Sequence, residues 1–199
     1  MDINIVINKD IYLTYKDEIL KLNARIFSEP YFYDIENYKN PFDLEGIDRF
    51  IQYVDNVIIH ATSSFLDYVN IILILAYLHD MNYKNKVCID YYIIGDFAYD
   101  KAIITKKELK ASDFENINKI KNSLINKERI DDTLPIPGSI GFNNFYNQLL
   151  EPELFIEGLD EIIEECNGDI DNISSYLENK YANMGLSKDY FAKLLEKYL

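Results

Sequence analysis

Residues 57–94 read VIIHATSSFLDYVNIILILAYLHDMNYKNKVCIDYYII, and this stretch decides the fold. Val57-Ile58-Ile59-His60 is an apolar run ending in polar residues, the pattern of a parallel strand buried on both faces. Ala61 to Ser64 is a polar turn. Phe65 to Tyr83 is so apolar that a helix covered on most sides is expected. Lys86 to Ile94 is rich in β-branched and aromatic residues and closes at Gly95-Asp96. Strand, helix and strand at this spacing make a βαβ unit with a right-handed crossover between parallel strands.

Toward the N-terminus, Asp2 to Asn8 alternates polar and apolar residues, as a half-buried strand does. Ile11, Tyr15, Ile19, Leu22 and Ile26 recur at helical spacing and predict a helix over about 10–27, ended by Glu29-Pro30. Tyr31 to Asn40 reads as an aromatic loop, and Phe42 to Tyr53 as a short helix. The expected fold is α/β: a small Rossmann-like three-layer core with parallel strands over residues 1–105. A helical C-terminal region follows it, and the two pack as one domain or stand apart.

Past the core, Leu109, Phe114, Ile117, Ile120 and Leu124 predict a helix over 108–126, within a helical connector spanning 106–133. The segment Leu134 to Gly141 holds two Pro and two Gly in eight residues and reads as a linker or a structured loop. Helices are expected over 142–150, merging toward 166, then over 170–183 and 188–199. Gly168 and Gly185 fall where helices end, and Asp169 and Ser187 where helices begin.

Composition narrows the function classes. Of the 199 residues, 48% are hydrophobic and 14% aromatic, which excludes general disorder. A chain of this length buries roughly 70% of its unfolded surface and needs no covalent staples. Cys88 and Cys166 are too few for a disulfide scaffold or a cysteine zinc site. The longest apolar stretch, Phe65 to Leu78, includes Asp67 and Asn70 and is shorter than the ~20 residues of a membrane span. The opening residues lack a basic segment followed by an apolar run, so no secretory leader is expected. The expected location is therefore cytoplasmic.

The net charge of −14 disfavours nucleic acid. Ten acids and no Lys or Arg fall within 151–178, whereas 101–129 holds eight bases against four acids. Two readings stand. Solvated faces of opposite sign attract each other, or Glu157, Asp160, Glu161, Glu164 and Glu165 meet a basic protein partner.

The candidate ligand site is the strand-to-helix turn. His60, Thr62, Ser63, Ser64 and Asp67 lie where a buried strand passes into a helix, and Asp90 and Asp96 lie at the end of the next strand. Open α/β sheets bind ligands at this edge, and the free N–H groups of a helix start suit a phosphate or carboxylate. Ser64 with Asp67 three residues on also reads as a capping box, which needs no ligand. The glycines and lysine of a phosphate-binding loop are missing.

Other motifs read structurally. There is no G-x-S-x-G elbow, and His60 and His79 lie at opposite ends of one helix-length segment, so no Ser-His triad is expected. His79-Asp80 ends an apolar helix, where a histidine is ordinary. Asn167 to Glu178 places oxygen side chains at calcium-loop spacing, but Asn172 replaces the required glycine and a helical period runs straight through. The clusters Tyr31 to Tyr33 and Tyr91-Tyr92 lack the neighbouring bases of a stacking platform. No metal, cofactor or catalytic set is expected, and the primary expectation is a non-catalytic binding or regulatory module.

Val57 to Leu78, with Asp67-Tyr-Val-Asn-Ile71 at the helix start and Val87-Cys-Ile-Asp90 in the next strand, resembles a bacterial domain-of-unknown-function family, number eighteen thirty-five. The resemblance runs mainly over residues 57–94. It implies a short apolar strand, a polar turn, an apolar helix, a second strand and a helical C-terminal region. It departs at Ala61-Thr-Ser-Ser64, where that family carries an acidic, histidine-bearing run. It implies no reaction.

Overall fold

The structure, a computed structural model, describes residues 2–8, 11, 24–26, 53–92, 103–182, 186–196 and 198–199. The sheet is built from β1 (Asp2–Val6), β2 (Ala24–Ile26), β3 (Asn56–Ala61), β4 (Lys86–Tyr92) and β5 (Ile103–Leu109), in the order β2-β1-β3-β4-β5. The first four pair in parallel, as expected, while β5 runs antiparallel to β4. The fold is thus α/β with a mostly parallel sheet.

Ala24–Ile26 is not the end of a helix; it pairs with Asn4–Val6 as an outer strand. Only Ile26 of that apolar series falls in this segment, and pairing along the edge of β1 decides its state. The helix expected from 108 begins only at Ile117, and the helical connector does not begin at 106, because Leu109 pairs with Val87 and Lys106 with Asp90. Lys106, Lys107 and Glu108 are good helix formers, but charged residues also suit a sheet edge. The α/β unit therefore runs to residue 109. The loop at 31–40, the helix at 42–52 and the Gly95-Asp96 turn lie outside the described residues.

Between β3 and β4 runs α1 (Phe65–Asp80), and ten of its 16 residues are buried, so it is covered from more than one side. One side meets the sheet face bearing Val57, Ile59, Ala61, Val87 and Ile89. The nearest of the helices that follow cover the rest, and the C-terminal helices share one apolar core with the sheet. These are α2 (Ile117–Asn126), preceded by a 3₁₀ turn (Ala111–Phe114), then α3 (Ser139–Leu149), α4 (Pro152–Phe155), α5 (Leu159–Glu165), α6 (Ile170–Lys180) and α7 (Lys188–Leu195). The expected continuous helix from 142 toward 166 is instead three pieces. Pro152 starts a new first turn and Gly158 takes φ +71°. Capping follows the sequence: Ser64, Asp169 and Ser187 each accept backbone N–H bonds at the start of α1, α6 and α7. The calcium-loop spacing is absorbed by the α5 end and the Asp169 cap. Gly185 lies outside the described residues.

Aromatic rings tie the C-terminal helices to α1. Tyr68 stacks on Phe142, Phe142 on Phe65, and Phe65 meets Phe145 edge-on. The contacts continue through Phe155, Tyr181 and Phe191. Of the Pro/Gly segment, Leu134 to Gly138 is a structured loop, and Ser139 to Gly141 already belong to α3. Leu134 and Ile136 are buried, and the Leu134 N–H donates to Ser139 Oγ at 3.0 Å.

Gly138 has φ +81°, and a Cβ there would lie 2.2 Å from the Tyr68 hydroxyl oxygen. Gly138→Ala is expected to cost about 2–3 kcal/mol through left-handed strain plus overlap. Urea unfolding should show a lower midpoint with an unchanged slope. Tyr68→Phe, which moves the nearest atom out to 3.0 Å, should recover part of the loss.

Candidate functional site

Strand alternation divides the sheet into two chemically different faces. The α1 face is apolar. On the other face Val6, His60, Asp90 and Lys106 are register partners in one row across β1, β3, β4 and β5. His60 and Asp90 are buried. His60 stands one residue before the carboxyl end of β3, at the edge where open α/β sheets take ligands.

Both ring nitrogens of His60 are engaged. Nδ1 lies 2.8 Å from the Tyr92 hydroxyl and Nε2 lies 3.0 Å from Asn4 Oδ1. The Asn4 carbonyl oxygen accepts only, so Nε2 carries the proton and the Tyr92 hydroxyl donates to Nδ1. The neutral imidazole satisfies both partners. Burial lowers the His60 pKa, with Asp90 opposing that shift and Lys106 adding to it. Asp90 is less well served. Lys106 Nζ is 3.9 Å from its Oδ1, and that buried oxygen has no hydrogen-bond donor among the described residues. Cys88, on the same face, is a buried thiol whose pKa is raised by burial. It lacks the character of an activated nucleophile.

The turn after β3 is organised by Asp67. Its Oδ2 accepts the Thr62 N–H at 2.5 Å and the Thr62 hydroxyl at 2.7 Å. The Asn8 amide, just past β1, donates to both carboxylate oxygens at 3.2 Å. Asp67 N–H donates to Ser64 Oγ at 3.1 Å, and Ser64 N–H donates to Thr62 Oγ1. Half of the expected capping box is therefore present, while the Asp67 carboxylate turns back to Thr62 instead of the Ser64 N–H. The helix start already faces an anion from its own chain. Burial raises the Asp67 pKa, and the bonds from Thr62, Asn8 and Ser64 pull it down.

The structure thus sorts the candidate residues. His60 and Asp90 are neighbours on the polar face. Thr62, Ser64 and Asp67 form the turn network. Ser63 is exposed, and Asp96 lies outside the described residues. Asn4, Asn8 and Lys106 were not singled out by sequence, and Tyr92 was read only as part of an aromatic cluster. The asparagines sit in the alternation of residues 2–8, which reads as a solvent-facing side, yet Asn4 is 4% exposed. Only strand pairing brings them to His60 and Asp67.

Elsewhere, His79 and Asp80 meet Asn118 and Lys121, which fasten α1 to α2. No group of three or more metal-ligating side chains occurs among the described residues. A polar hollow of about 270 Å³ lies beside α3, lined by Arg129, Asn144, Asn147, Gln148 and Glu151. The Asn147 amide there is already bonded to the backbone of Ile130. Glu157, Asp160, Glu161, Glu164 and Glu165 are all exposed on and beside α5. Among the described residues the basic stretch answers other acids: Lys106 faces Asp90, Lys119 faces Asp132 and Lys121 faces Asp80.

Fold and site together define an α/β protein with a buried polar pair, His60 and Asp90, near the carboxyl edge of a mostly parallel sheet. No family model, curated protein or solved structure matches the chain. Among the described residues, no helix is long and apolar enough to cross a membrane.

Two outcomes follow. Asp67→Ala strands the buried donors of Thr62 and the half-buried amide of Asn8 and is expected to cost about 3 kcal/mol. Formate should restore part of that stability in the variant, and chloride at matched ionic strength should not. His60 has a folded pKa below its unfolded value of 6.5. Its contribution is therefore whole above 6.5 and is lost as pH falls from there through the folded value. Asp67, with its pKa raised, has the opposite sign: its contribution is lost as pH rises through its folded value. Melting curves should fall from pH 7 to pH 5, and His60→Gln should flatten that slope.

Proposed function

We propose that this chain is a non-catalytic binding module that receives a basic protein partner on the acidic face of α5. The supporting observation is that Glu157, Asp160, Glu161, Glu164 and Glu165 are all solvent-exposed and form no ion pair among the described residues. Leu159 and Ile162 are buried beneath them, so the charges stand on an anchored helix. A surface of one sign raises encounter rates and rejects like-charged partners, and does so without a pocket. In this reading the protein acts in the cytoplasm, and its core is a Rossmann-like three-layer unit. The order β2-β1-β3-β4 of the parallel strands favours that unit. The family likeness of residues 57–94 belongs to the same proposal.

A phosphate- or carboxylate-bearing ligand at the 60–67 turn has weaker support. The Asp67 carboxylate already receives the donors of Thr62 and Asn8, and it repels a second anion.

A photocross-linker placed at Glu161 should capture a basic protein that one at Asn122 on α2 does not. Changing the five acids to Lys should abolish the capture while circular dichroism stays unchanged. Affinity for the captured protein should fall steeply with salt. An affinity that survives the charge reversal overturns the proposal.

A further inference from the structure

We propose that the carboxyl end of the sheet's polar face binds a small organic cation, a primary amine or guanidinium, with Asp90 as its counter-ion. This site is separate from the α5 surface and does not depend on it. The Asp90 side chain is only 9% exposed, and its Oδ1 lacks a hydrogen-bond donor among the described residues. A carboxylate oxygen withdrawn from water and given no donor is costly, and a charged N–H is the group that relieves it best. Lys106 Nζ stands 3.9 Å away, in the position of a loose internal substitute. Its side chain is 51% exposed and sits on the edge strand β5, so an incoming cation displaces it without disturbing the core.

Position and sign agree. His60 and Asp90 are register partners close to the carboxyl ends of β3 and β4, outside which open α/β sheets place their ligands. Both nitrogens of His60 are engaged by Asn4 and Tyr92, so the imidazole flanks the site without competing for the Asp90 oxygen. Asp67 adds a second carboxylate just past the end of β3. The local field, like the overall charge of −14, attracts cations and repels anions.

The test is calorimetric titration of the full chain with agmatine and with putrescine, and with acetate and phosphate as anionic probes. Agmatine or putrescine should bind the unaltered protein. Asp90→Asn should weaken that binding about tenfold or more. Lys106→Met, which removes the internal competitor, should tighten it several-fold, and this arm decides the matter should Asp90→Asn fail to fold. Absence of cation binding in both the unaltered protein and Lys106→Met overturns the proposal. So does cation binding that Asp90→Asn leaves intact, or binding of acetate or phosphate in place of the amines.

Discussion

A helix with no solvent-facing stripe must be enclosed, and α1 is such a helix. Ile71, Ile72, Leu73, Ile74 and Leu75 are all at most 1% exposed. Burying five such side chains is worth roughly 10 kcal/mol, comparable with the whole net stability of an ordinary domain. The sheet covers only one side of a helix lying on it. The remaining apolar surface has to be met by something else, and α2, the 3₁₀ turn before it and α3 meet it. The C-terminal region is thus part of the core that keeps the βαβ unit folded.

The aromatic contacts from Tyr68 and Phe65 through Phe142, Phe145 and Phe155 to Tyr181 and Phe191 carry that cover outward. Two polar devices fix its register. Asn147 pairs with both backbone groups of Ile130, and the Tyr146 hydroxyl donates to the carbonyls of Ser123 and Leu124 near the end of α2. Apolar area supplies the energy, and these directional bonds select one arrangement of it.

The opposite face of the sheet has a different character. Asn4, His60, Asp90 and Tyr92 are polar side chains held out of water, and such groups stay buried at low cost only when each finds a partner. His60 does so fully, at 2.8 and 3.0 Å. Asp67 does so at the neighbouring turn. Asp90 Oδ1 is the exception among them, which makes it the chemically informative atom of the row.

Much of the local structure was legible in the chain itself. The strand at 57–60, the helix after it, the strand from 86 and the caps at Ser64, Asp169 and Ser187 follow from periodicity and short-range hydrogen bonding, which neighbouring residues settle among themselves. What lay beyond reach depends on distant partners. Lys106 to Leu109 became a strand only because β4 offered an edge to pair with. Ala24 to Ile26 became a strand only because β1 did. Asn4 and Asn8 read as solvent-facing, because alternation reports that two faces differ and not what covers each. Asp67 read as half of a capping box, and its carboxylate went instead to Thr62 and to Asn8, 59 residues away in sequence. The sequence by itself determined which segments are helix or strand wherever burial period and capping suffice. The tertiary structure decided the sheet edges, the polar row and the state of its carboxylates, because those are set by pairing between residues that only the fold brings together.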